Sequence, residues 1–202
     1  MPRVAIGLAA GFALLVVTLH LVRTDVDPLM RGVSRYASGE YGYVVNGAFL
    51  LLAAGLVATG IGFRRTVPPV GRAGVWLLWA SAAGMTTVAI FPVRAAESAA
   101  LENLPHQAGG MVFFLAAAGG AVVLSRATGR QSVLGWFVAE AVTVYFLSIG
   151  VPGLALTAVR GLLQRVCFAA IVAWLVRANA ALDYEWRRAT VGSTPAARLD
   201  GR

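Results

Sequence analysis

Residues 1–22 read MPRVAIGLAAGFALLVVTLHLV, and this stretch decides the fold. From Val4 to Val22 run 19 residues without one Asp, Glu, Lys or Arg. At a rise of 1.5 Å per residue, about 20 apolar residues cross a hydrocarbon core of roughly 30 Å. No water is present there to satisfy the backbone, so a single run of this length must be a helix. A signal peptide has a shorter apolar core and a small-residue cleavage site. Here the run is full length and passes into HLVRTD without such a signature, so we read it as a retained first span.

Five further apolar runs follow, at about residues 44–63, 73–92, 107–125, 132–150 and 161–180. The class is therefore all-α: a membrane-embedded bundle of six transmembrane helices occupying residues 1–182. Paired small residues recur, as in AAGLVATGIG and AAAGGAVVL. Such residues let helices approach closely in lipid. FRRTVPPVGRAG turns between the second and third spans, where Pro68 and Pro69 block helix continuation. Residues 183–202 form a short tail, starting as a polar helix extension, DYEWRRA, and ending in GSTPAARLDGR, which has the composition of a disordered end. A separate soluble catalytic domain has no room in 202 residues, so any chemistry belongs to the helices and their loops.

The chain is 58% hydrophobic and 13% charged, and all 17 of its basic residues are Arg. Soluble domains are about 25% charged. The net charge of +8 does not point to nucleic acid, because the arginines lie in short loops between apolar runs. They are unevenly shared. Arg3, Arg64, Arg65, Arg72, Arg126, Arg130, Arg177, Arg187, Arg188, Arg198 and Arg202 fall on one side, and Arg23, Arg31, Arg35, Arg94, Arg160 and Arg165 on the other. The richer side is expected in the cytoplasm, which makes the topology N-in/C-in. A GC-rich style of composition and this layout suggest a multi-pass protein of a bacterial plasma membrane. Cys167 is alone inside an apolar run and reads as packing.

Polar residues gather on the expected external side. The first loop, HLVRTDVDPLMRGVSRYASGEYGYVVN, holds acids, arginines, two serines and three tyrosines. Its length and aromatic content predict a folded polar cap over the bundle, with a short helix through PLMRGVSRYA. FPVRAAESAALENLPHQAGG joins the third and fourth spans, with Pro92 ending one helix and Pro105 opening the next. Gln164 and Arg165 lie just inside the sixth span, where ion pairing to Asp25, Asp27 or Glu40 is the simpler expectation for Arg165. Glu140 lies deepest, midway along the fifth span, and an ionisable residue at that depth is a functional candidate by default. Thr86, Thr87, Tyr145 and Ser148 would line an outward-facing pocket with it if their helices turn inward together.

These residues carry a resemblance. The chain resembles the domain-of-unknown-function 998 family of bacterial and archaeal membrane proteins over residues 1 to about 182. The first-loop pattern is met by Asp27, Pro28, Ser34, Tyr36, Ala37, Gly39, Tyr41 and Gly42. Phe91 and Pro92 with downstream His106, and Gly161, Leu162, Gln164 and Arg165, match two further elements. One departure is clear: the acid expected shortly after Phe-Pro is replaced by Val93 and Arg94, with Glu97 as the nearest substitute. The resemblance implies the fold and topology, not an activity.

Three functions stay open. The first is binding of a lipid or small amphipathic ligand, with His20, Asp25, Asp27, Ser34, Tyr36, Tyr41, Gln164 and Arg165 as ligand-binding candidates. The second is an intramembrane enzyme acting on a lipid-like substrate, with Glu140, His106 and Asp27 as acid–base candidates. The third is a redox protein whose haem is held by His20 and His106. Zinc held by these histidines with Asp25 or Asp27, activating water, is a version of the second reading, although no HxxxH or HxxE pair exists. No cofactor and no metal site are predicted. Membrane lipids are the expected partners, and a homo-oligomer is left open. Transport is disfavoured by the lack of an internal repeat or of matched broken helices.

Overall fold

A computed structural model describes residues 1–94, 101–129, 132–151 and 155–191. Among these residues there is helix and no strand. The six main helices are α1 (Pro2–Val22), α2 (Gly42–Arg64), α3 (Arg72–Ile90), α4 (Leu104–Thr128), α5 (Ser132–Gly150) and α6 (Arg160–Val191). All six are long and apolar enough to cross a membrane.

The expected spans coincide with these helices apart from their ends, and the differences have local causes. Helix α3 stops at Ile90 because Phe91 precedes Pro92 and leaves the helical region, at φ −110° and ψ 76°. Helix α4 opens at Leu104 because Pro105 suits the first helical turn, where its missing N–H costs nothing. Helix α6 continues well past residue 180, and Asp183 ties this extension to Arg187 at 2.9 Å and to Arg3 of α1 at 3.4 Å. The end of the tail, residues 192–202, lies outside the described residues.

Consecutive helices pack side by side, and α1 closes the ring against α6, which also touches α2 and α4. The centre is filled, not hollow. Phe168 of α6 is the hub, with ring centroids 5.3 Å from Phe12, 6.2 Å from Phe49, 5.5 Å from Phe113 and 5.3 Å from Phe114. The tightest seam is between α3 and α4. A Cβ on Gly84 would lie 2.6 Å from the Gly109 carbonyl oxygen, and one on Gly109 would lie 2.8 Å from that of Gly84, so both positions require glycine. In lipid no hydrophobic force drives helices together, and such backbone contact supplies dispersion instead.

The first loop contains less helix than expected. Asp27 and Pro28 begin a turn closed by the Arg31 N–H on the Asp27 carbonyl at 2.9 Å. Gly32 is extended, and only a single 3₁₀ turn follows, Val33–Ala37. Gly32 therefore breaks the segment that was expected to be one short helix.

Candidate functional site

The first turns of α6 lie under the first loop and hold it. The Leu162 N–H donates to the Leu29 carbonyl at 3.1 Å. A Cβ on Gly161 would sit 2.5 Å from the Arg31 carbonyl oxygen, so the loop backbone rests directly on the helix. Gln164 Oε1 accepts the Val33 N–H at 2.7 Å, and its Nε2 donates to the Tyr145 hydroxyl at 3.0 Å.

Arg165 is the centre of this arrangement. Its Nη1 donates to the carbonyls of Pro28 at 2.8 Å, Arg31 at 2.6 Å and Gly161 at 2.9 Å. Its Nη2 reaches the Tyr36 hydroxyl at 3.3 Å, and its Nε donates to His20 Nε2. His20 Nδ1 lies 2.6 Å from the Val16 carbonyl. These two partners fit the tautomer in which Nδ1 donates to the Val16 carbonyl and Nε2 accepts from Arg165. The buried ring of Tyr36 lies 5.2 Å from the His20 ring and 5.8 Å from the Arg165 guanidinium.

The expected ion pair between Arg165 and a loop acid is not formed. Among the described residues no carboxylate lies within ion-pair distance of Arg165. Asp25 is taken by Arg23, Asp27 Oδ1 accepts the Leu29 N–H at 2.8 Å, and Glu40 turns its carbonyl to Arg23. Among the described residues, Arg165 is held by neutral acceptors.

Arg23 is a second latch that the sequence reading did not single out. It grips Asp25 with two hydrogen bonds, Nε at 2.7 Å and Nη2 at 2.8 Å. It also donates to the carbonyls of Glu40 at 2.5 Å and Ser38 at 3.0 Å. The hydrogen bond from Arg23 holds the Asp25 carboxyl below its ordinary range, and the same bond raises the guanidinium. The available signal was the Arg-x-Asp spacing at the very end of an apolar span.

Two hollows flank the Gln164–Arg165 pair. One is a lateral groove of about 570 Å³ between α1 and α6, walled by Phe12, Val16, Val17, Phe168, Ala169 and Val172, with His20 and Arg165 at its loop end. The other is a depression of about 220 Å³ on the end of the bundle, lined by Arg31, Ser34, Arg35, Tyr145, Arg160 and Gln164. Arg31, Arg35 and Arg160 likewise have no carboxylate within ion-pair distance among the described residues.

The acid–base trio is not assembled. Asp27 is committed to its turn, and His106 Nδ1 donates to the Phe91 carbonyl at 2.8 Å, fastening α4 to the end of α3. Glu140 is on the exposed face of α5. Ser148, expected to line a pocket with Glu140, is buried and donates to the Tyr145 carbonyl at 2.6 Å. Eight residues at 100° each leave about 80° between the two, enough to turn one inward and the other outward. Thr86 and Thr87 donate their hydroxyls to the Ala82 and Ala83 carbonyls of their own helix, and Glu140 faces away from the bundle. His20 and His106 belong to α1 and α4, which are not neighbours in the ring, and each is engaged by a backbone carbonyl. The structure therefore brings no haem-ligating pair together. Among the described residues no group of three His, Cys, Asp or Glu could hold a metal ion. Tyr41 is exposed at the start of α2 with a left-handed backbone, φ 60°.

A family model described as "Protein of unknown function (DUF998)" matches residues 5–180. The chain belongs to DUF998. No curated protein and no solved structure matches it. In this DUF998 chain the sequence elements behind the resemblance meet at one end of the bundle. Loop residues Pro28 to Tyr36 bond to Gln164 and Arg165. Ser38 Oγ donates to the Val93 carbonyl at 3.1 Å, just after Phe91–Pro92. His106 anchors on Phe91 itself. Arg94, standing where an acid was expected, pairs with Glu102 at 2.5 Å. Glu97, the suggested substitute, lies outside the described residues.

Proposed function

We propose that this DUF998 protein binds an anionic membrane amphiphile at the α1–α6 groove, on the non-cytoplasmic side of a bacterial plasma membrane. The observation that carries the reading is Arg165: a cation that, among the described residues, has no carboxylate within ion-pair distance, at the end of an apolar groove. Acyl chains lie along Phe12, Val16, Phe168 and Val172, and a phosphate or carboxylate head meets the guanidinium. Arg presents five N–H donors, and those of Nη2 have only the long contact to Tyr36. Charge-assisted bonds to an anion are about twice as strong as neutral ones. Arg31, Arg35 and Arg160 on the same end add attraction. Chains gain little by leaving bulk lipid for an equally apolar groove. Selectivity then resides in the headgroup, and the groove supplies position.

The test uses protein in lipid nanodiscs containing equal phosphatidylglycerol and phosphatidylcholine, followed by native mass spectrometry. Wild type is expected to retain phosphatidylglycerol over phosphatidylcholine by about tenfold, ~1.4 kcal/mol. Ala169→Trp fills the groove and is expected to lose the retained lipid while melting normally. Equal retention of the two lipids, or full retention by Ala169→Trp, rejects the reading.

A further inference from the structure

Glu140 is the ninth of the 19 residues of α5, about 12 Å along a helix that rises 1.5 Å per residue. This places it near the bilayer midplane. It is on the exposed face and, among the described residues, no hydrogen-bond or ion-pair partner reaches it. An ionisable side chain at that depth normally faces the bundle interior or water, because lipid offers it nothing. Among the described residues α5 packs on α4, on α6 and on the 3₁₀ turn Ala155–Val159, and the face that carries Glu140 is exposed.

The residues around it form a seam. Val133, Phe137, Val144 and Leu147 are all exposed on α5. Together with Glu140 they follow the spacing of a helix–helix seam, with one polar position at its centre. Helix α1 makes a useful contrast, because its exposed Leu14, Val17 and Leu21 form a face that lipid alone satisfies.

We propose that α5 is the interface of a homodimer in which the Glu140 carboxylic acids of two copies hydrogen-bond to each other across a two-fold axis along the membrane normal. A carboxylic acid carries both a donor and an acceptor, so it complements itself. A two-fold axis brings each residue of the central seam to its own counterpart and sets the two α5 helices parallel. A second copy therefore satisfies both the acid and the apolar side chains above and below it. A single polar residue in such a seam also sets register. The proposal is independent of the α1–α6 groove.

Two measurements in lipid vesicles test it. In the first, chains carrying a donor or an acceptor fluorophore at the carboxyl end are mixed, and energy transfer is followed as lipid dilutes the protein. Wild type is expected to associate. Glu140→Gln keeps a self-complementary amide and is expected to associate similarly, whereas Glu140→Leu weakens association by about tenfold, the worth of one interhelical hydrogen bond. In the second, Leu147→Cys is expected to form a disulfide-linked dimer on oxidation, and Leu14→Cys is not. A wild-type chain that stays monomeric overturns the proposal. So does Glu140→Leu associating as well as wild type, or cross-linking through Leu14 in place of Leu147. Energy transfer absent in the pure protein but restored by adding a membrane extract would also overturn it, pointing to a different partner at Glu140.

Discussion

Single residues at the loop end of the bundle show how polar groups are placed when lipid is nearby. Arg23 and Arg165 stand at the ends of apolar helices, yet among the described residues only Arg23 meets an acid. The side chain of Arg23 is 10% exposed and that of Asp25 is 63% exposed, so the pair spans the boundary between protein and water. Its pH dependence has a definite sign. The Asp25 carboxyl is held below its ordinary value, principally by the hydrogen bond from Arg23. The stabilisation is therefore complete above the unfolded value, about 3.9, and is lost as pH falls through the folded one. The melting temperature of wild type is expected to exceed that of Asp25→Asn at neutral pH, with the gap closing below about pH 4. A gap that stays constant from neutral to acid pH would show that the carboxylate charge is not what holds the loop.

At the scale of elements, the first loop and the start of α6 form a single unit. The loop has only one 3₁₀ turn of its own, and its backbone is held by donors on α6: the Leu162 N–H and the Arg165 guanidinium. Gln164 completes the contact as an acceptor. Gly161 permits all of this, because a methyl group there would press on the backbone of Arg31. Gly161→Ala is expected to destabilise the protein by about 1–3 kcal/mol, the usual range for overpacking. Gly7→Ala serves as the comparison, since nothing lies within 4 Å of the Cβ it would add. Thermal melting in detergent should lower the transition of the first variant and leave that of the second unchanged or raised. Equal melting of both would mean that α6 and the loop do not bear on each other as described.

For the whole molecule, the helices form a closed ring around a filled aromatic centre, with the loop latches at one end and the Arg3–Asp183 contact at the other. By the distribution of arginines, the latch end is expected to face outside. A cysteine introduced at exposed Tyr43 should react with a membrane-impermeant maleimide on intact cells, and one at Ala189 only after permeabilisation. The opposite pattern would invert the molecule and move the Arg165 groove to the cytoplasmic leaflet.

Apolar length alone determined that this chain is six helices in a membrane, because lipid leaves the backbone of a 19-residue apolar run one way to bond itself. Prolines 92 and 105 marked two helix ends for equally local reasons. The family likeness was also legible, since its motifs are short and contiguous. Which polar residues share a site was not, because that depends on how each helix is rotated about its axis. Glu140 read as the deepest member of an inner pocket, and packing turned it outward. Arg165 read as the partner of an acid, and the fold gave it the carbonyls of residues 28 and 31 and the His20 ring instead. Arg23 passed without notice because the acceptors that bury it, the carbonyls of Ser38 and Glu40, exist as a set only after the loop closes. Hydropathy is a property of one segment at a time and survives translation into structure. Pairing is a property of two segments at a fixed rotation, and only the assembled bundle supplies that angle.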